Sequence, residues 1–352
     1  MNRLWSEMTR RTEPYIPGEQ LNRPEIIKLN TNENPYPPSP RTGEAIQREI
    51  GRLQLYPSPT ADGLCQAIAE RENLPADHVF VANGSDEVLA FSFMAFFDPG
   101  QTIRFPDISY SFYPVYSKLF NIPYEEVPLR ESFTLNLDGF AQAEGGIILP
   151  NPNAPTGIYE SLDGIREILE ANPDRPVIID EAYIDFAGPS AAVLIGEYDN
   201  LLVTRTTSKS RSLAGLRVGY ALGHPGLIEA LVRIKDSFNS YTLDRLAQAG
   251  AEAAFRDETY FRETTKRIVQ TRNRAVEQLG ALGFRVLPSS ANFLFCTHPE
   301  ADAEKLCEKL KGRGILVRHF SKPRIQDYLR ITVGTDEQMD RLSKVLSEIL
   351  CK

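Results

Sequence analysis

The 352-residue chain carries 39 basic and 47 acidic residues, for a net charge of −8, and 42% of its side chains are apolar. That length and apolar share support a large core in about two domains and exclude a disordered chain. The acidic balance excludes nucleic acid or an anionic membrane as the main partner, although a local arginine cluster can still hold a small anion.

The N-terminal MNRLWSEMTRRTEPYIPGE has early positive charge but no apolar segment, so it does not read as a secretory signal. No stretch approaches the ~18 uninterrupted apolar residues of a membrane helix. Cys65, Cys296, Cys307 and Cys351 are scattered without a CxxC pair, the pattern of reduced thiols in a cytoplasmic protein. The four histidines are equally dispersed, and no metal is expected.

Residues 1–40, rich in Pro, Asn and Arg, read as an extended arm. Short apolar runs follow: VFVA (79–82), TIRF (102–105), GIIL (146–149), PVII (176–179), LLVTR (201–205) and RVGYAL (217–222). Several are nearly continuous in aliphatic residues, as strands covered on both faces should be. Helical patterns alternate with them at Asp86–Phe97, Ser161–Glu170 and Pro225–Lys235. Such alternation predicts an α/β fold, a large domain with a mostly parallel sheet covered by helices. Beyond Tyr241 the text changes. Thr242–Leu282 is long and helical with a break near Arg256–Asp257. FRVLP, NFLFCT, GILVRHF and YLRITVG then read as strands, interleaved with helices near 302–312 and 336–350. This is expected to be a smaller α+β C-terminal domain, giving an arm (1–40), a large domain (41–250) and a small domain (251–352).

Ligands of an open parallel sheet sit outside the carboxyl ends of its strands. The polar loops of this chain fall there. VFVA runs into Asn83-Gly84-Ser85-Asp86, and GIIL into Asn151-Pro152-Asn153-Ala154-Pro155-Thr156-Gly157. PVII runs into Asp180-Glu181-Ala182-Tyr183, and LLVTR into Thr206-Thr207-Ser208-Lys209. Gly84-Ser85-Asp86 opening a helix offers free N–H groups to a phosphate, but taken alone it reads first as an ordinary N-cap by Ser85 or Asp86. Asp180 alone suits a salt-bridged strand end, and Lys209 alone a solvated surface group. Together they match the needs of pyridoxal phosphate: an amine for its aldehyde, an acid for its pyridine nitrogen, a phosphate cradle and a stacking ring. Lys209, Asp180, Gly84–Ser85 with Ser208, and Tyr110 supply these in turn. A buried lysine near other cations also has its pKa lowered, which frees the amine.

SKSRSLAGLRVGY, around Lys209, resembles the cofactor-lysine signature of the class II aminotransferases of fold type I. The resemblance implies that Lys209 is the Schiff-base lysine, and that Thr206 and Arg217 bind the cofactor phosphate with Gly84, Ser85, Asp86 and Ser208. DEAYIDF is similar to the strand end whose aspartate pairs with the pyridine nitrogen and whose tyrosine bonds the ring hydroxyl, hence Asp180 and Tyr183. Tyr110 falls where a ring-stacking aromatic is expected.

KLNTNENPYPPSP, LYPSPTADGLCQAIA, GSDE, GILVRHF and YLRITVGT extend the similarity nearly end to end, most closely to the histidinol-phosphate aminotransferases. That implies amino transfer between glutamate/2-oxoglutarate and histidinol phosphate/imidazole-acetol phosphate in histidine biosynthesis. It also implies a homodimer in which Tyr56 reaches the neighbouring subunit's cofactor phosphate. Arg330 would bind a substrate carboxylate, Arg318 the substrate phosphate, and Tyr15 would line the pocket. Without the resemblance, Arg330 reads as a surface ladder residue.

One position departs from the family. Asparagine usually precedes the Pro-Thr-Gly and bonds the cofactor's ring hydroxyl, whereas this chain has Ala154. Either Asn153 takes over that bond, the preferred reading, or Tyr183 holds the hydroxyl alone. Two rival activities share these motifs, a threonine-phosphate decarboxylase of the cobalamin pathway and an aromatic-amino-acid aminotransferase. A non-enzymatic regulator that senses the cofactor would need a DNA-binding domain, for which the chain has no room.

Overall fold

A computed structural model describes residues 3–15, 19 and 25–350. Cys351 lies outside them; Cys65, Cys296 and Cys307 are free thiols.

The strands, in chain order, are β1 (Ile27–Lys28), β2 (Val79–Asn83), β3 (Ile103–Pro106), β4 (Tyr124–Val127), β5 (Gly146–Pro150), β6 (Val177–Asp180), β7 (Leu201–Thr206) and β8 (Val218–Gly223). They continue as β9 (Arg285–Val286), β10 (Phe293–Thr297), β11 (Ile315–Leu316), β12 (Arg318–His319) and β13 (Tyr328–Thr332). Seven of them form one sheet in the order β2-β8-β7-β6-β5-β3-β4, in which only β8 runs antiparallel to its neighbours. The aliphatic runs make it up because successive side chains point to opposite faces, and both faces are covered. Val177 and Ile179 enter one core with Ile165 and Ile168 of the helix Leu162–Glu170. Ile178 between them enters the other, with Phe91, Phe93 and Leu231.

Strand β4 was not anticipated. Its sequence, YEEV, has no apolar run, since it forms the sheet edge and turns Glu125 and Glu126 outward. The helices Pro40–Glu49, Asp62–Glu72 and Tyr113–Phe120 were likewise unread. The expected break near Arg256–Asp257 separates the helices Arg245–Phe255 and Glu258–Ala281.

A second, antiparallel sheet has the order β12-β13-β10-β9 and carries its own core of Phe293, Leu294, Leu329, Ile331, Leu342 and Leu346. GILVRHF splits into β11 and β12 around Val317. The N-terminal segment is more than an arm. Its β1 pairs in parallel with β11, and the Leu29 carbonyl accepts from the Thr332 amide at 2.9 Å. Those bonds carry residues 30–34 over the carboxyl edge of the large sheet. Among the described residues no helix is long and apolar enough to cross a membrane.

Candidate active site

The ends of β2, β5, β6 and β7 meet at a cavity of about 290 Å³, lined by Ser85, Asp86, Tyr110, Ala154, Asp180, Tyr183, Thr206, Ser208, Lys209 and Arg217. An adjoining cleft of about 170 Å³ adds Tyr15, Asn30, Asn32, Arg318 and Arg330, so the two sheets meet over one site.

The helix Gly84–Phe96 points its first turn at the cavity, and its N-cap, Asn83, makes no side-chain capping bond. Neither Ser85 nor Asp86 is the N-cap, so the first N–H groups remain open to an anion. The turn is tight. Gly84 has φ +82°, and a Cβ there would lie 2.5 Å from Arg217 Nη2. A Cβ on Gly219 would lie 2.2 Å from the Ser85 nitrogen. Glycines at both positions let the guanidinium and the helix start close on one volume. Thr206 and Ser208 complete that corner, their hydroxyls 2.9 Å apart. The Asp86 carboxylate is turned to its neighbours: it accepts from Tyr110 Oη at 2.8 Å and pairs with Arg217 at 3.1 Å.

Asp180, 4% exposed, ends β6. Burial raises its carboxyl from 3.8 to about 6, opposed by a hydrogen bond from Tyr113 Oη to Oδ2 at 2.9 Å. Tyr113 and Thr204, whose hydroxyl lies 3.5 Å from Asp180 Oδ1, were missed in the sequence. No spacing rule announced Tyr113, because Tyr110 precedes the helix that begins at Tyr113 and a turn, closed by the Tyr113 N–H on the Tyr110 carbonyl, brings the two rings together. Lys209 Nζ lies 3.2 Å from the Thr31 carbonyl oxygen and 5.9 Å from the centre of the Tyr183 ring. Burial first, then the Arg330 guanidinium, lowers its amine from 10.5 to about 8.

Asn153 does not line either cavity. Its Nδ2 donates to the Ile108 carbonyl at 3.0 Å and to Thr156 Oγ1 at 2.9 Å, away from Tyr183. Position 153 is placed otherwise than the preferred reading expects: its N–H donates to the Ile158 carbonyl, its carbonyl accepts from the Gly157 N–H, and its Oδ1 is buried without a partner among the described residues. Tyr183 packs edge-on against Phe293, its hydroxyl accepts from Asn32 Nδ2 at 3.0 Å, and both Tyr183 and Ala154 line the cavity.

Arg330 is no surface ladder residue. It has no carboxylate partner among the described residues, and burial holds it below its usual range. One guanidinium nitrogen donates to the Asn30 carbonyl at 3.0 Å, while Nε is buried without a partner. Arg318 lies over Phe320, 5.6 Å from the ring centre, and also has no carboxylate partner among the described residues. Two cations without counter-charges on one wall form a site for anions. Tyr15 stacks on Phe112 at 4.4 Å beside them. Tyr56 is not brought here. It is 79% exposed, tilted against Tyr241 at 4.8 Å, and lines neither cavity.

The family described as Aminotransferase class I and II matches residues 24–346. Histidinol-phosphate aminotransferase 1 of Oceanobacillus iheyensis is 55% identical over 350 residues, covering 99% of each chain. The histidinol-phosphate aminotransferase of Clostridium acetobutylicum is 53% identical over 351 residues, 99% of this chain and 100% of that one. Among solved structures, histidinol-phosphate aminotransferase of Sinorhizobium meliloti, in complex with pyridoxal-5'-phosphate, superposes with a TM-score of 0.90 at 24% identity, covering 100% of this chain and 98% of that one. That likeness bears on the fold, and the full-length identities bear on descent. The chain belongs to the class I and II aminotransferases and, within them, to the histidinol-phosphate aminotransferase family.

Proposed function

We propose that this chain is a pyridoxal-phosphate-dependent transaminase of histidine biosynthesis, moving an amino group between glutamate/2-oxoglutarate and histidinol phosphate/imidazole-acetol phosphate. The observation that carries the reading is a cavity that unites an amine of lowered pKa, a buried carboxylic acid and an uncapped helix start with Arg217, beside a cleft, also lined by Lys209, that holds two arginines without carboxylate partners among the described residues. The full-length relatives above bear this name rather than those of a decarboxylase or an aromatic aminotransferase.

Bound here, pyridoxal phosphate supplies a carbonyl for amines and a ring that withdraws electrons from the substrate's Cα. The residues fit it. The open N–H groups of residues 84–86 bind the phosphate with Thr206, Ser208 and Arg217, a role supported by the two glycine contacts. Asp86 acts through its backbone, since its carboxylate holds Tyr110 and Arg217 in place. Tyr110 stacks on the ring. Asp180 keeps the pyridine nitrogen protonated, and the resulting cation favours its own ionised form despite burial. Tyr183, rather than Asn153, donates to the ring oxygen.

Lys209 would hold the cofactor through its amine, and the same amine, when free, would serve as general base and acid for the proton at the substrate's Cα. A near-neutral amine suits both directions, and its lowered pKa supports the assignment. Arg330 takes the carboxylate of glutamate and shares the phosphate ester with Arg318, each guanidinium offering paired donors. Tyr15 lines the same pocket.

A homodimer with a shared site belongs to the proposal. Leu53, Leu55, Tyr56, Phe238 and Tyr241 are exposed, an apolar set that supports a second subunit covering them and Tyr56 serving that subunit's phosphate. The division into an arm (1–40), a large domain (41–250) and a small domain (251–352), and a cytoplasmic location, are proposed with it. The test is an assay of the purified protein with histidinol phosphate and 2-oxoglutarate, following glutamate. Glutamate formation is expected. Release of carbon dioxide from threonine phosphate, or faster transfer from aromatic amino acids, would overturn the substrate assignment.

A further inference from the structure

Asn32 sits wholly inside the protein, 1% exposed, where the N-terminal segment crosses the cavity. Its φ of +56° is a conformation that Asn and Asp tolerate better than other side chains. Every polar group it owns is used. The Thr332 hydroxyl oxygen accepts from its backbone N–H at 3.0 Å and donates to its Oδ1 at 3.1 Å. Asn292 Nδ2 donates to its carbonyl at 3.0 Å, and its own Nδ2 donates to Tyr183 Oη at 3.0 Å.

The proton inventory of this chain of bonds has one solution. Thr332 Oγ1 accepts from the Asn32 backbone N–H, and among the described residues the only acceptor bonded to its single hydrogen is the amide oxygen of Asn32. Turning the amide over would strand that hydrogen in the interior without an acceptor, which is costly. The amide nitrogen therefore faces Tyr183, and Tyr183 Oη is an acceptor on that side. Among the described residues Tyr183 donates its own hydrogen to none; the free direction is the cavity it lines.

We infer that Asn32 is a positioning residue that commits the Tyr183 phenol to act as a hydrogen-bond donor into the cavity, and so offsets the donor absent at Ala154. The inference rests on the assignment of Tyr183 to the cofactor's ring oxygen. A donor there stabilises negative charge on that oxygen, which lowers the pH at which the lysine-linked cofactor gives up its proton. With alanine at 154, this one bond carries what two donors would otherwise share, and its orientation is set by a residue of the N-terminal segment that lines the adjoining cleft.

The experiment is a pH titration of the visible absorbance of the cofactor-loaded protein. Tyr183→Phe should move the midpoint up by about one pH unit, the size of one hydrogen bond to a charged group. Asn32→Asp, an acceptor in place of a donor, should draw the Tyr183 hydrogen away and give a similar upward shift. The double variant Asn32→Asp/Tyr183→Phe should titrate like Tyr183→Phe alone. Adding Ala154→Asn to Asn32→Asp should restore the midpoint. If Tyr183→Phe leaves the midpoint unmoved, the assignment of Tyr183 fails and takes the inference with it. If Tyr183→Phe shifts while Asn32→Asp does not, only the inference fails. An undiminished Asn32→Asp shift on the Tyr183→Phe background overturns it too, because the effect would then be the new charge alone. Should Asn32→Asp not fold, the uncharged Thr332→Val frees the amide to turn, and the same upward shift is expected; its absence overturns the inference.

Discussion

Tyr113 donates a 2.9 Å hydrogen bond to Asp180 Oδ2 from a ring that is wholly buried and stands edge-on to Tyr110. One side chain thus braces both the acid proposed to pair with the pyridine nitrogen and the aromatic proposed to stack on the ring. Tyr113→Phe keeps the packing and removes only the bond. Its loss should weaken retention of pyridoxal phosphate about ten-fold, the scale of one hydrogen bond to a charged group. Equilibrium dialysis of the cofactor checks this, and unchanged affinity would show that Asp180 holds its place without Tyr113.

Asp180→Asn separates stability from function. In the cofactor-free protein, burial raises the Asp180 carboxyl from 3.8 to about 6. The stability associated with its neutral form is therefore fully present below the ordinary value and is lost as the pH rises through about 6. Asparagine carries no such cost. Cofactor-free Asp180→Asn should be the more stable protein at pH 8, by up to ~3 kcal/mol, and nearly equal to the parent near pH 4. The loaded variant should fold normally yet lose most turnover, since the pyridine nitrogen is no longer held protonated. Urea unfolding at the two pH values and a turnover assay test both halves; near-normal turnover would assign the acid's part to another group.

Lys209 titrates near pH 8 in the free site. Capture of pyridoxal phosphate by the cofactor-free protein needs the neutral amine, so its rate should rise through about pH 8 and level off above it. Arg330→Ala removes the cation that helps lower the amine and should move this midpoint upward. Lys209→Ala should show no borohydride-trapped cofactor and no transamination. A trapped cofactor in that variant would refute the lysine assignment.

Tyr56 supplies a test of the shared site. A Lys209→Ala subunit still carries Tyr56, and a Tyr56→Ala subunit still carries Lys209. Random mixing of the two should regenerate roughly a quarter of the sites, because half the dimers are mixed and each has one complete site. Activity measured after unfolding and joint refolding of the two inactive proteins reads this directly. No recovery, or a fully active monomer, would place Tyr56 outside the site.

The arginines should divide the two substrates. Arg318→Ala is expected to weaken the phosphate ester by on the order of 1.5–3 kcal/mol, roughly ten- to hundred-fold in kcat/KM, with a much smaller effect on glutamate. Arg330→Ala should damage both half-reactions, because both anions are proposed to bind its guanidinium, which lines the cleft without a carboxylate partner among the described residues. Equal losses on both substrates in Arg318→Ala would argue against a dedicated phosphate position and toward the aromatic reading.

Much of the site was legible because it lies at strand ends. Apolar runs such as PVII locate a buried strand from its side-chain pattern, and the polar residue that stops the run must then emerge at the sheet edge. Asp180, Lys209 and Gly84 were singled out in this way, and the structure places Asp180 and Lys209 in the lining of the cavity with Gly84 at the start of the helix beside it. Edge strand β4 was not, since solvent on one flank relaxes the apolar requirement and YEEV looks like a loop. The helix start at Gly84 was visible, but not that Asn83 leaves it uncapped, which depends on the backbone path into the turn.

What the sequence determined by itself was the alternation of strands and helices, hence the parallel sheet, and the identity of the groups at its carboxyl edge, because side-chain period and burial are local properties of the chain. What only the tertiary structure decided were meetings across long separations. Asn32 reaches Tyr183 over 151 positions and Thr332 over 300, through the pairing of β1 with β11. Asn153 and Ala154 are adjacent in the chain, yet the side chain of the first bonds to Ile108 and Thr156 and the second lines the cavity. Such outcomes follow from which donors and acceptors packing leaves unpaired, a balance set by the whole fold rather than by any segment of it.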